Sequence, residues 1–105
     1  MPKPVRILTL ATKEARKAWL WYRKRSTRVG GRFQKALEQA IEQIAAQPNR
    51  WPEYYHGTRF IMLKRFPYIV VFRATDTEVQ IIAVAHAHRR PAYWARRLKK
   101  PSPPG

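Results

Sequence analysis

The sequence predicts an α+β domain in which a helical hairpin covers one face of a four-stranded sheet. In the first half of the chain, a short alternating segment precedes two segments whose apolar residues recur at helical spacing. In the second half, three apolar runs rich in Ile, Val, Phe and Tyr are separated by turn residues, as in consecutive antiparallel strands. Each layer has one apolar side, so the two layers are expected to share one core.

The first strand and the first helix are expected at residues 5–10 and 11–25. Apolar and polar side chains alternate over residues 5–10 (VRILTL), which is typical of a short, half-buried strand. Thr12 is expected to cap the helix, and Glu14 lies near the positive end of the helix. The apolar residues of this helix fall on one face, and lysines and arginines occupy the other.

A turn that contains two glycines should join this helix to a second one. Gly30 and Gly31 readily adopt left-handed dihedrals, so the turn is expected at residues 26–31. Residues 32–47 carry apolar side chains every three or four positions and predict the second helix, which Pro48 ends. Two helices joined by so short a turn form an antiparallel hairpin.

The remaining strands are expected at residues 60–63, 68–72 and 79–85. Breaks at residues 66–67 and 75–77 allow the chain to reverse between the strands, so the three should form an antiparallel meander. Together with the first strand they would complete one four-stranded sheet.

Pro91 is expected to begin a short C-terminal helix (PAYWARRL), because the first residue of a helix needs no N–H donor. A chain of 105 residues supports one modest core. A single domain is therefore expected at residues 1–98, and the proline-rich residues 99–105 are expected to be disordered.

The composition excludes several classes of protein. There is no cysteine, which excludes a disulfide scaffold and thiolate metal sites. The N-terminal apolar run is too short for a signal peptide, and no run has membrane-spanning length. A cytoplasmic protein without membrane contact and without a cofactor is expected.

The charge of the chain points to a polyanionic partner. There are 22 lysines and arginines against six acids, which gives a formal net charge of +16. A molecule with this charge repels itself unless an anionic partner neutralises it. Nucleic acid, the ribosome, an acidic membrane and an acidic protein all meet that description, and charge alone does not choose among them.

Four arginines near the strand ends, Arg65, Arg73, Arg89 and Arg90, are expected to converge on one edge of the sheet, and Arg59 is a fifth candidate for the same role. Their planar guanidinium groups suit the binding of phosphate or carboxylate groups, although a solvated surface charge is the usual role of an exposed arginine.

Two histidines and two aromatic residues complete the candidate site. His86 and His88 are two residues apart at the end of the last strand, so both should point to one face. Histidine can act as a general acid or base near neutral pH, and Tyr93 nearby could assist. The simpler interpretation is that the histidines only end the strand. Trp94 is either a packing anchor or part of a target-binding surface.

No metal site is expected from the histidines. His86, His88 and the distant His56 have no carboxylate near them in the sequence, and they lie among cations that repel a metal ion.

Several local motifs, in their order and spacing, resemble the RelE/ParE superfamily of bacterial toxins from type II toxin–antitoxin modules. The motifs are GGRF and AIEQIAAQP at the two ends of the second helix, WP followed by GTRF, the RFPYIVVFR hairpin, and IIAVAHAHRRP. The resemblance covers residues 5–97. It implies a growth-arresting toxin that a cognate acidic antitoxin wraps and neutralises, in a complex that commonly represses its own operon by binding operator DNA.

The superfamily has two branches, and this chain resembles the ParE-like branch more closely. In the RelE-like branch, toxins cleave mRNA on the ribosome with the help of basic residues on the sheet, whereas ParE-like toxins poison DNA gyrase. Where RelE-like toxins carry two lysines and an arginine, this chain has Phe60, Met62 and Ile69. Cations at those positions would stabilise the charge of a phosphorane transition state.

Three functions therefore remain as hypotheses. The first is a ParE-like toxin that acts by docking on DNA gyrase. The second is a RelE-like, ribosome-dependent mRNA endoribonuclease, in which His86, Arg89 and Tyr93 replace the missing cations. The third is a nucleic-acid-binding module or a non-toxic relic that regulates its operon together with its partner.

Overall fold

A computed structural model describes residues 3–99 of the chain. Its helices and strands, in chain order, are β1 (Val5–Ile7), α1 (Thr9–Arg25), α2 (Thr27–Ala46), β2 (Arg59–Met62), β3 (Tyr68–Ala74) and β4 (Val79–His86). Short 3₁₀ helices lie at Pro48–Arg50, Tyr55–Gly57 and Ala95–Lys99. The predicted α+β architecture is confirmed. From residue 100 onward, the predicted disordered tail lies outside the described residues.

The four strands form one sheet in the order β1-β4-β3-β2. As predicted, β2, β3 and β4 form an antiparallel meander, while β1 pairs in parallel with β4. The β3–β4 register shifts in the middle of the pair. Val71 pairs with Ala83 and the next residue, Phe72, pairs with Ile81, so Ile82 is inserted as a β-bulge.

The sheet is buried on both faces. The helical hairpin covers one face, which we call the helix face, and its core consists of Ala11, Ala18, Phe33, Ala40, Ile44, Ile61, Leu63, Val70, Phe72, Val79 and Ile81. The opposite face is covered by the C-terminal segment and by the loop before β2, around a core of Ile69, Val71, Ile82, Ala83, Ala85 and Trp94. Burial on both faces explains why the meander strands read as continuous apolar runs rather than alternating ones.

The predicted turn at residues 26–31 is wrong, because α2 begins directly after Ser26. Ser26 alone connects the helices, and its hydroxyl oxygen accepts a hydrogen bond from the Val29 amide at 3.2 Å. Gly30 lies inside α2 at the crossing with α1, where a Cβ atom would come within 2.9 Å of Arg23 Cβ. The glycine therefore permits close helix packing rather than a turn.

The start of α1 also differs from the prediction. The helix begins at Thr9, and Leu8 at its N-cap makes no side-chain hydrogen bond. Thr12 is therefore not the cap, and its amide already donates to the Leu8 carbonyl at 3.0 Å. The strand before the helix is correspondingly shorter than expected and ends at Ile7.

The short C-terminal helix begins later than expected, at Ala95 rather than at Pro91. Residues 91–94 form turns, and Ala92 has a positive φ of 62° that interrupts any helix. A 3₁₀ helix follows at Ala95–Lys99. Within residues 3–99, no helix combines the length and the apolar character needed to cross a membrane.

Candidate functional site

A cavity of about 420 Å³ lies between α1 and the ends of β3 and β4, and we call it the His86 cavity. The residues that line it are Glu14, Lys17, Ala18, Trp21, Tyr22, Tyr68, Val84, His86, Arg89 and Tyr93. Only His86, Arg89 and Tyr93 of this set were predicted from the sequence as site residues.

The β3–β4 pairing places two rings at the floor of the cavity. Tyr68 is opposite His86 in the register, and their ring centroids are 5.2 Å apart in an edge-to-face arrangement. The backbone N–H of His88 donates to His86 Nδ1 at 3.1 Å, which orients the imidazole. The His86 and His88 rings are 5.3 Å apart, so the two histidines are neighbours, as their spacing suggested.

Helix α1 contributes a cation and an exposed indole ring. Lys17 and Trp21 are four residues apart, so they lie on the same face of the helix. Trp21 is 51% exposed, a high value for so large an apolar side chain. The Arg25 guanidinium lies 3.5 Å from the centroid of the Trp21 ring and donates to the Trp21 carbonyl at 3.0 Å.

Glu14 is the acceptor of a buried hydrogen-bond cluster in the cavity wall. Its Oε1 and Oε2 each accept one N–H from Arg97 at 2.9 Å. Oε2 also accepts the Tyr93 hydroxyl at 2.5 Å, and Oε1 accepts the Val84 amide at 3.0 Å. The two charged side chains are only 17% and 13% exposed. This bidentate pair joins α1 to the C-terminal segment.

The Glu14 cluster lies beside the part of β4 that has no neighbouring strand on the β1 side. β1 pairs with β4 only as far as Ile81, so the β4 edge beyond that residue has no strand beside it. There the Val84 amide donates to Glu14, and the Ile82 carbonyl accepts an N–H from Arg97 at 3.0 Å. Two side chains thus satisfy backbone groups that a longer strand would otherwise pair.

The cluster shifts two pKa values in opposite directions. Burial by itself raises the pKa of Glu14, but hydrogen bonds from Arg97, Tyr93 and the Val84 amide outweigh burial and hold that pKa below its usual value. Burial and the hydrogen bond to the Glu14 carboxylate raise the pKa of Tyr93 far above its usual value. The Tyr93 hydroxyl therefore stays protonated and donates its hydrogen bond to Glu14, so it is poorly suited to proton transfer.

The expected convergence of Arg65, Arg73, Arg89 and Arg90 on one edge is wrong, because Arg73 lies at the other end of the sheet. Arg73 is five residues beyond Tyr68 on β3, which separates it from the His86 end of the sheet by roughly 17 Å. It donates to the Gln80 side-chain oxygen at 2.8 Å. Arg59, near the same end as Arg73, donates to the Trp51 carbonyl at 2.7 Å.

Three of the predicted arginines do lie at the end of the sheet where β4 ends with His86. Arg65 lies in the turn before β3, and Arg89 and Arg90 follow β4; all three are exposed. The Arg89 guanidinium lies 3.6 Å from the centroid of the Tyr93 ring. This group of arginines, rather than all five, remains available to an anionic partner.

Comparison with known proteins identifies the family. A family model described as "ParE toxin of type II toxin-antitoxin system, parDE" matches residues 5–91. The chain belongs to the ParE toxin family. A solved structure titled "Chromosomal ParDE TA system from P. aeruginosa" is similar in fold, with a TM-score of 0.64. It is 18% identical over 82% of this chain and 97% of that chain. No match was found among curated proteins.

In this ParE-family toxin, the positions at which RelE-like toxins carry cations lie on the face opposite the helical hairpin. Phe60 and Met62 pair with neighbours on β3 whose side chains are on that face, and Ile69 belongs to its core at 7% exposure. His86 and Tyr68 line the cavity on the helix face. His86 therefore does not occupy the place of the missing cations.

Trp94 is a packing residue in this toxin. It is 1% exposed, in the core of the face opposite the helices, and its ring lies 6.1 Å from that of Tyr54. The alternative that Trp94 presents its ring to a target is wrong for this conformation. Among residues 3–99, no three metal-ligating side chains form a cluster.

Sequence reasoning missed the other residues of the cavity and of its wall. Glu14 was noted only for its effect on the helix dipole, although it is the only acid in the first 37 residues. An isolated acid in so basic a segment signals a specific partner. Lys17 and Trp21 were indistinguishable from other residues of α1, because their role depends on how the helix packs on β4.

Proposed function

We propose that this ParE-family toxin arrests growth in the cytoplasm by docking on DNA gyrase, and that a cognate acidic antitoxin neutralises it. The observation that carries the proposal is the match of the ParE toxin model to residues 5–91. Docking on a target requires a stable, charged surface, and it requires no residue that transfers a proton.

The geometry favours docking over phosphodiester cleavage. Tyr93 is bound to the Glu14 carboxylate, which makes its hydroxyl unsuited to exchanging a proton with a substrate. Phe60, Met62 and Ile69 are apolar where a cleaving toxin needs cations. Binding to a large target can instead use the exposed arginines near the His86 cavity.

The docking surface that we propose consists of Arg65, Arg89 and Arg90 at the His86 end of the sheet. All three are exposed. Arg59 and Arg73 are excluded from it by their position and by their hydrogen bonds to Trp51 and Gln80.

The antitoxin that we propose is an acidic, partly disordered segment that folds on binding. The toxin has a net charge of +16, and a groove of about 340 Å³ between α1 and α2 offers apolar surface from the half-buried Ala15, Trp19 and Leu37. An amphipathic acidic segment matches both features. The neutralised complex would bind operator DNA through the antitoxin.

One observation favours a second candidate, a RelE-like, ribosome-dependent mRNA endoribonuclease. His86, Arg89 and Tyr93 line the same cavity, as that hypothesis requires. In such an enzyme His86 would exchange the proton and Arg89 would hold the phosphate.

Two assays with the purified toxin separate these candidates. Docking predicts inhibition of DNA supercoiling by gyrase, relieved by a stoichiometric amount of antitoxin, and intact mRNA in a translating extract. Cleavage predicts the reverse pattern. A protein that does neither, and arrests no growth when expressed alone, would be a non-toxic relic.

A further inference from the structure

We propose that the His86 cavity binds one nucleotide of single-stranded nucleic acid, with the base against Trp21 and the phosphate between Lys17 and Arg89, and that it does not cleave the strand. This binding goes beyond gyrase docking and does not depend on it. Charge, aromatic surface and size of the cavity each support the proposal.

The cavity is cationic despite the carboxylate in its wall. Lys17 and Arg89 line it on separate elements, namely α1 and the segment after β4. Glu14 also lines it, but both oxygens of Glu14 are occupied by Arg97, Tyr93 and the Val84 amide. The acid is neutralised within the protein, so the free cations determine what the cavity attracts.

Trp21 supplies an aromatic surface at the rim. The ring is 51% exposed, and the Arg25 guanidinium lies over one of its faces, 3.5 Å from the centroid, so a base would use the exposed part of the ring that Arg25 does not cover. An exposed indole beside cations is the combination with which proteins bind single strands, because every base has a π-face and every nucleotide a phosphate.

The size of the cavity favours a single nucleotide. A volume of about 420 Å³ is in the range of small-ligand sites, and the walls come from α1, from the strand ends and from Tyr93. The bases of a duplex are stacked inside and cannot reach Trp21, so a single strand is favoured. Arg65 and Arg90, exposed at the same end of the sheet, can contact neighbouring phosphates.

The test measures binding of a fluorescently labelled single strand of about ten nucleotides by anisotropy, with the matching duplex and uridine monophosphate as competitors. Trp21→Ala should weaken binding roughly ten-fold or more, and Trp21→Phe should retain most of it. Tyr55→Ala is the matched control, because Tyr55 is 49% exposed but does not line the cavity. Lys17→Gln should weaken binding more than Lys13→Gln, which removes the same charge one helical turn away.

The competitors distinguish a strand from a free nucleotide. Competition by uridine monophosphate that Trp21→Ala abolishes would assign the site to free nucleotides, and competition by the unlabelled strand alone would assign it to strands. The strand should remain intact after prolonged incubation.

Equal losses for Lys17→Gln and Lys13→Gln, together with no effect of Trp21→Ala, would overturn the proposal in favour of non-specific charge attraction. Equal affinity for the duplex, or cleavage of the strand, would also overturn it. None of these measurements involves gyrase, so their failure is separate from a failure of the docking proposal.

Discussion

Glu14 is the residue on which the attachment of the C-terminal segment depends. Its carboxylate accepts hydrogen bonds from Arg97, Tyr93 and Val84, and it is the only acid that the first helix contains. A partner removed from such a buried pair leaves the other charge without compensation. The cluster therefore stabilises the position of Tyr93 and Arg89 in the cavity wall.

Substitution of Glu14 should destabilise the fold strongly. Glu14→Gln leaves the Arg97 guanidinium, which is 13% exposed, without a counter-charge, and we expect the free energy of unfolding to fall by about 3 kcal/mol. Urea denaturation measures the change. Glu38→Gln, on the exposed surface of α2, is the matched control and should cost less than about 0.5 kcal/mol.

A double-mutant cycle checks that the pair itself is responsible. Glu14→Gln combined with Arg97→Met should cost clearly less than the sum of the two single changes. Additive losses would show that the two side chains do not interact in solution.

The same cluster predicts how stability depends on pH. The pKa of Glu14 is lowered on folding, so its contribution is full above about pH 4.5 and is lost as the pH falls through the folded value. The pKa of Tyr93 is raised on folding, so its contribution is full below about pH 10 and is lost as the pH rises further.

Chemical denaturation at several pH values tests both signs. The stability difference between the wild type and Glu14→Gln should be constant near neutral pH and shrink in acid. The difference between the wild type and Tyr93→Phe should shrink in alkali as well as in acid, because the Tyr93 hydroxyl also helps to lower the pKa of Glu14. A Glu14→Gln difference that grows as the pH falls would contradict the hydrogen-bonded, charged state of Glu14.

At the scale of elements, the two glycines of α2 have different surroundings and predict opposite effects. A Cβ at Gly30 would lie 2.9 Å from Arg23 Cβ and 3.0 Å from Arg23 Cα, whereas a Cβ at Gly31 would meet nothing within 4 Å. Gly30→Ala should therefore destabilise the toxin by about 1–3 kcal/mol. Gly31→Ala should stabilise it by about 0.5–1 kcal/mol, because alanine favours the helix. Thermal or urea unfolding of the two variants measures the difference, and equal effects would refute the close crossing of α1 and α2.

The elements that the sequence predicted well are those with a local signal. Apolar runs of β-branched and aromatic residues located the three meander strands to within two residues at each end. The two glycines misled the prediction of the turn, because the role of Gly30 is set by contact with α1 and not by its neighbours in the chain. The strand register likewise could not be predicted from the sequence. In the structure, the register places Arg59 and Arg73 at the end of the sheet away from the candidate site.

The candidate site was harder to predict than the fold, because its walls come from distant parts of the chain. His86 and Arg89 were found from a local cluster of basic residues. The contacts of Glu14 with Tyr93 and Arg97 span 79 and 83 residues, and they exist only because β1 is shorter than β4. Such contacts leave no periodic pattern in the sequence.

At the scale of the whole molecule, the net charge of +16 should govern association with the proposed acidic antitoxin. Long-range attraction accelerates encounter, and salt screens it. Raising the salt from about 0.05 M to about 0.5 M should slow association with the antitoxin ten-fold or more and change dissociation much less. Stopped-flow mixing measures both rates. An association rate that is indifferent to salt would contradict the proposed acidic partner.

The central question for the molecule is whether it acts by docking or by cleavage, and His86→Ala answers it most directly. The variant, shown by circular dichroism to be folded, is compared with the wild type in gyrase supercoiling and in mRNA integrity during translation. Docking predicts that both proteins inhibit supercoiling within about threefold of each other, that mRNA stays intact, and that Arg89→Ala with Arg90→Ala weakens inhibition. Clean, ribosome-dependent mRNA cuts by the wild type that His86→Ala abolishes, with gyrase unaffected, would contradict docking.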